Sequence, residues 1–365
     1  MKYELDVKAF WKENEKCFGP FSTDKPRVPI DYWLDDHFLL EKMSLPSTLR
    51  YYQDERYRLE INKQFNHQTE SQLGKRFVGE DEFPPPIPNR FEVIMGAHWQ
   101  ITEGGTPWLG SSVVSIEDVK KLIDRVIRLD VKRAAFPEDW EAAKISYEKH
   151  SGKSLKLGGS GSRGPATMAT SILGTVQTCM FIMDEPEVMK EFFLVLADKL
   201  VAYHHVLLAD TQHTANGGYS ITDDNCYLFP PGLYETFCAP VLEKLFQEFA
   251  PLPHHKRHQH SDSSMEHLMG ILNDLGVNEV NLGPNILPQS IRKAMPKTVI
   301  YGQMPPFTLR NGTPEDIIKL VQRDIDTVGQ DGGLVECTAG SVAGGTSLEN
   351  LKIYMWAVQT YGRYL

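Results

Sequence analysis

The chain lacks paired cysteines, an excess of positive charge, a signal-like apolar leader and any apolar run that reads as long enough to span a bilayer. Its five cysteines, Cys17, Cys179, Cys226, Cys238 and Cys337, are scattered without CxxC spacing. An odd, unpaired set points to free thiols in a reducing compartment, so a cytoplasmic location is expected. The net charge is −10, with acids and bases interspersed. That sign argues against nucleic acid or an anionic membrane as partner. The N-terminal MKYELDVKAFWKENEK is charged and amphipathic, with no signal-peptide core.

What is present suits one large α/β core: 365 residues, 41% of them hydrophobic, a size that barrels reach without splitting. The organisation expected is a single domain over 1–365. Residues 1–80 form an irregular, helical N-terminal extension packed on a barrel of residues 81–365. A helix is expected at 48–66. The proline-rich 83–90, FPPPIPNR, reads as a rigid loop at the barrel rim, because proline fixes φ and lacks the amide donor. An apolar strand is expected at 91–96.

From about residue 150 the rhythm is regular. Strands are expected at 155–159, Gly218–Thr222, a segment ending at His260, Glu279–Leu282, 299–303 and 333–337. Helices are expected from Pro186, then at 231–248, 263–275, 314–328 behind Thr313, and 347–361 behind Thr346 or Ser347. Alternating short strands and helices imply a parallel sheet with right-handed crossovers. A closed barrel and an open doubly wound sheet both fit that rhythm, and the polar residues favour the barrel.

Those residues gather just after each strand: 159–162, Asp223-Asp224-Asn225, His260-Ser261-Asp262, Asn285, Gln303 and Glu336-Cys337. A (β/α)₈ barrel brings all such ends to one rim, where its enzymes place their active sites. Simpler roles exist for some of them. Asp262 and Ser263 stand where the cap of a following helix would be, and GSGSRG lacks the spacing of a nucleotide fingerprint. The segment PHHKRHQHSD is unusual, because it fills a strand slot with His254, His255, His258 and His260 instead of Val and Ile. His254 and His255 read as loop. His260, at the strand end, with Asp262 and a Glu or Cys from a later strand end, has the residue types of a zinc site with an open position.

The blocks GGSGSRGPATMA, SITDDNCYLFPPGLYETFCAPVLEKL, HSDSSMEHLMGILNDLGVNEVNL, VIYGQMPPFTLRNGTPEDI and GGTSLENLKIYMWAV occur in this order. With them the chain resembles the uroporphyrinogen decarboxylase superfamily, which includes decarboxylases and corrinoid-dependent methyltransferases. The resemblance implies a (β/α)₈ TIM barrel. The decarboxylases' N-terminal arginine-rich clamp has no counterpart beyond Arg27 in KPRVPIDYW, and their last-strand histidine turn reads AGSV here. Porphyrinogen decarboxylation is therefore not expected. The methyltransferase branch is similar to this chain at His260 of its His-x-Cys zinc motif, with Asp262 in the first cysteine's place. Cys337 falls in the second cysteine's loop, about three residues early.

The resemblance thus implies a zinc site altered toward oxygen ligands, drawn from His260, Asp262, Glu336 and Cys337. Such a site suits activating a methyl donor, such as a methyl ether, more than a thiol acceptor. The expected activity is methyl transfer from a small methylated substrate to the corrinoid (cobalamin) of a separate carrier protein, since the chain shows no DxHxxG corrinoid motif. In that reading His260, Asp223 and Asp224 serve catalysis, Gln303 lines the pocket, and Trp99, Trp108 and Phe307 supply an aromatic wall. A decarboxylase of a small acid is the alternative, and a non-catalytic barrel that has lost its zinc site is a third reading. Monomer and homodimer both suit the fold.

Overall fold

The computed structural model describes residues 3–157, 161–212, 214 and 217–364. The chain forms two compact units: Glu82–Gln100 with Pro107–Val277, and Met1–Asp81 with Ile101–Thr106 and Asn278–Leu365.

In the unit centred on residues 107–277, β1 (His98–Gln100) and β2 (Trp108–Gly110) form a short antiparallel pair. Three parallel strands follow: β3 (Gly161–Arg163), β4 (Gly218–Thr222) and β5 (Lys256–Ser261). A Cβ on Gly161 would meet the Ser220 carbonyl at 2.8 Å, so glycine is what lets β3 approach β4 this closely. β5 contains no aliphatic residue, and only Gln259 and Ser261 are fully buried on it. Its Arg257 side chain binds the carbonyls of Ala250 and Leu275 at 2.9–3.1 Å, tying the strand to the chain on either side. The long helix Pro186–Asp210 packs against the helices Ile116–Ile127, Val131–Ala135 and Ala239–Phe249. Being covered on several sides, it is apolar on several sides.

In the other unit β6 (Glu279–Leu282), β7 (Val299–Tyr301) and β8 (Leu334–Val335) run parallel. An extended N-terminal segment continues this pairing beyond β8. Ile30 bridges Glu336 in parallel, and Glu336 N–H donates to Pro29 O while Asp31 N–H donates to Glu336 O. Parallel pairing of the first extended segment with the last strand is what barrel closure requires. The helix Leu348–Tyr361, capped by Ser347, packs on Pro314–Asp324 and Glu55–Leu73.

Several sequence expectations are corrected here. The single helix at 48–66 is two, Thr48–Gln53 and Glu55–Leu73, because Asp54 ends one and accepts from Tyr57 N–H as the cap of the next. Residues 91–96 are no strand. Phe91–Ile94 make one helical turn, whose carbonyl end Arg125 binds at 3.0–3.2 Å, and Gly96 turns the chain away at φ +111°. The strand expected at 155–159 lies partly outside the described residues, as does most of the GSGS turn; β3 begins at Gly161. Helix 231–248 contains a π-helical stretch, Tyr234–Cys238, and 314–328 ends in another, Ile325–Gly329. Helix 263–275 starts later, at Glu266. Finally, Pro186–Asp210 is, by length and composition, apolar enough to cross a membrane, as is the bent pair Pro165–Leu173 and Thr175–Asp184. Half of the long helix's apolar window is buried in the structure.

Candidate functional site

The site is built from two adjacent strand ends. In the β4–β5 register Thr222 stands opposite His260, and the next amide, Asp223 N–H, donates to His260 O at 2.9 Å. The strands therefore stop level. Asp224 opens the short helical turn Asp224–Leu228, and Asp262 follows the last residue of β5. Asp262 N–H donates to Asp224 Oδ1 at 2.9 Å, which locks one loop to the other. His260 Nε2 lies 3.3 Å from Asp262 Oδ1 and 3.8 Å from Asp224 Oδ1. The three ligand atoms fall within 4.8 Å of one another. The His260 side chain is 14% exposed, and the two carboxylates are about half exposed at 44% and 53%.

Asp223 faces the other way, into the unit. It is fully buried; Oδ1 accepts Thr167 N–H at 2.7 Å, in the first turn of the helix Pro165–Leu173, and Oδ2 has no hydrogen-bond partner among the described residues. Burial pushes its carboxyl up to about 7, against the lowering effect of the Thr167 and Ala166 donors. Gly164 makes this contact possible, since a Cβ there would meet the Asp223 side chain at 2.3 Å. Beneath Asp262, Ser261 and Ser263 share a 2.7 Å hydrogen bond. Asp262 caps no helix, because the next helical turn begins four residues later.

A cavity of about 460 Å³ adjoins the cluster, with Asp224 in its wall. Its other polar lining includes Arg90, Glu92, Arg163 and His204, and its apolar lining includes Met168, Leu200 and Tyr203. Glu92 is 4% exposed, lying 3.1 Å from Arg163 Nε and 3.8 Å from Arg90 Nε. His204 Nε2 pairs with Tyr219 Oη at 2.7 Å, and its buried Nδ1 has no hydrogen-bond partner among the described residues. None of these four was singled out from sequence. Arg163 stands inside the GSGSRG turn, which was read for its backbone rather than for its side chain.

Burial pushes the His204 imidazole from 6.5 down to about 4. A histidine depressed in the fold contributes stability that is present above 6.5 and is lost as pH falls through 4. That loss is on the order of 3 kcal/mol. Urea midpoints at pH 7 and pH 4 should therefore diverge more for the wild type than for a His204→Gln variant. Equal divergence in the two proteins would count against a neutral buried imidazole.

Of the remaining candidate residues, two belong to the same unit as the cluster. Trp99 and Trp108, on β1 and β2, are 39% and 50% exposed, with the Arg90 guanidinium 5.1 Å above the Trp99 ring. Phe307, Gln303, Glu336 and Cys337 belong to the other unit. Phe307 is 68% exposed. Gln303 is buried and spends its Nε2 on the carbonyls of Gly283 and Ile286. Glu336 is fully buried and accepts from Tyr354 Oη at 2.9 Å. Burial, reinforced by the charge of Asp324, raises its carboxyl far above the usual range. Burial likewise raises the Cys337 thiol, so neither is a ready anionic ligand where it stands.

Parallel βα units whose charged groups collect just past the strand ends define an α/β protein of the (β/α)₈ TIM-barrel class with a helical N-terminal extension. Residues 92–361 match the model of the uroporphyrinogen decarboxylase (URO-D) family, and the chain belongs to that family. Among solved structures it is similar to a methyltransferase from Methanosarcina mazei. The TM-score is 0.61 at 14% identity, over 98% of this chain and 99% of that one. No curated protein matches its sequence.

Proposed function

We propose that the chain is a corrinoid-dependent methyltransferase of this family. In this reading it moves a methyl group from a small methylated substrate, such as a methyl ether, to the cobalt of a corrinoid carried by a partner protein. The observation that carries the reading is the convergence of His260 Nε2, Asp224 Oδ1 and Asp262 Oδ1 beside a cavity. Nitrogen and oxygen ligands about 2.0–2.2 Å from a tetrahedral zinc stand roughly 3.4 Å apart. The separations of 3.3 and 3.8 Å on either side of His260 fit that spacing. Three protein ligands leave a fourth position for substrate, as in catalytic zinc sites.

Bound there, zinc would act as a Lewis acid that makes an alkoxide or phenoxide a better leaving group. His260 and the two aspartates hold the position. The amide bond from Asp262 to Asp224 keeps the two loops in register, and Asp223 anchors the helix behind them. The ligands proposed here are therefore His260, Asp224 and Asp262. The similar solved structure, a methyltransferase from Methanosarcina mazei, is consistent with the reading.

Metal analysis and spectroscopy test it. The expected result is about one zinc per chain and conversion of cobalt(I) corrinoid to the methylcobalt(III) spectrum with a methyl-ether donor. A metal-free protein with full activity would remove zinc from the proposal. No spectral change across a broad donor panel would remove methyl transfer. The alternative, a small-acid decarboxylase, draws on Asp223, whose carboxyl near 7 can hold a proton at neutral pH. Release of CO₂ in place of methyl transfer would favour it.

A further inference from the structure

The cavity beside Asp224 holds more cationic hydrogen-bonding capacity than its own acids consume. Arg163 uses Nε on Glu92 and Nη1 on Ser171, and its Nη2 has no acceptor among the described residues. Arg90 Nε lies 3.8 Å from Glu92, and the guanidinium lies over Trp99. One buried carboxylate, Glu92, therefore sits between two guanidinium groups that both line the cavity. The cavity's other acid, Asp224, accepts from Asp262 N–H at 2.9 Å, lies 3.8 Å from His260 Nε2 and also acts on Arg163 through its charge. A guanidinium presents two parallel donors to a carboxylate, and such pairs are short and strong where water is scarce.

We infer that this cavity takes a small substrate bearing an acid group, with Arg163 and Arg90 holding the acid and the rest of the molecule reaching toward Asp224. About 460 Å³ is in the range of small-ligand pockets, and Met168, Leu200 and Tyr203 give an apolar wall for a ring or short chain. Burial lowers the Arg163 guanidinium's affinity for its proton, as does the charge of Arg90, and Glu92 and Asp224 only partly restore it. The inference rests on the proposed function for what happens to the substrate, but not for its binding.

Calorimetric titration of the full chain with two uncharged/charged pairs of equal shape tests this: 4-methoxybenzoate against 4-methoxybenzamide, and methoxyacetate against methoxyacetamide. At least one acid should bind about tenfold or more tightly than its amide. Arg90→Gln, whose side chain is half exposed, and Arg163→Gln should each erode that preference. Arg163→Lys keeps a partner for Glu92 and serves if Arg163→Gln does not fold. Equal Kd for acid and amide in both pairs would overturn the inference, as would a preference that survives both changes. Acid-selective binding without methyl transfer to cobalt(I) would overturn the proposed reaction alone. Methyl transfer with neutral donors preferred would overturn this inference alone.

Discussion

Replacing His260 with alanine is expected to strip zinc from the chain and lower methyl transfer to cobalt(I) corrinoid by about a thousandfold or more. The size follows from what the side chain does. It is the only nitrogen in the cluster and the least exposed of its three ligand residues, at 14%. Losing it leaves two half-exposed carboxylates that water solvates well. Polarisation by a metal ion is worth several kcal/mol at a transition state, and each 1.36 kcal/mol is about tenfold in rate. Asp262→Ala should act in the same direction but through a partly exposed oxygen. Asp262→Asn separates ligation from loop docking, because the backbone amide that binds Asp224 remains. The readouts are zinc per chain and the rate of methylcobalt(III) formation. A His260→Ala protein that kept both would sink the ligand assignment.

Arg27→Ala is expected to destabilise the chain by about 3–5 kcal/mol, the range for breaking a buried charged network. Arg27 is fully buried. It lies 3.1 Å from Glu13, donates to Asn14 Oδ1 at 3.0 Å and to Val28 O at 2.9 Å, and stacks 4.3 Å over the Phe10 ring. Asn14 in turn fixes the Ile30 backbone through both of its side-chain atoms. The neighbouring backbone pairs with β8 at Glu336. Removing the guanidinium would thus loosen the segment that continues the parallel pairing beyond β8. Arg27→Lys keeps the charge but not the fork, and should fall between alanine and wild type. Urea unfolding midpoints measure the effect, and a loss below about 1 kcal/mol would contradict it. The same burial explains why the arginine of KPRVPIDYW offers no clamp for a carboxylated substrate.

Where local chemistry was decisive, the chain could be read directly. Thr313 with Asp316 forms a capping box, and Ser347 caps the last helix, both from contacts within one turn. β4 and β6 run where their β-branched and aromatic residues put them. The histidine-rich β5 was legible as a strand only from its place in the βα rhythm, since its composition argues against one. At 91–96 the same logic failed. The apolar run looked like a strand, but Arg125, some thirty residues later, binds the carbonyls that end a helical turn there.

The ligand set shows the same division. Asp224, His260 and Asp262 converge because neighbouring strand ends stop level, and strand-end position is visible in sequence. Glu336 and Cys337 share that sequence position, yet burial raises the proton affinity of both. Burial depends on what packs around a group, which spacing does not reveal. Arg90 and Glu92, Arg163, and His204 meet at one cavity from three separate stretches of chain. Sequence alone determined the βα rhythm, the caps and the polar strand ends, because these depend on neighbours within a few residues. Only the tertiary structure decided which carboxylates face one another, which acids are buried and where two arginines keep donors to spare, because those depend on contacts between distant segments.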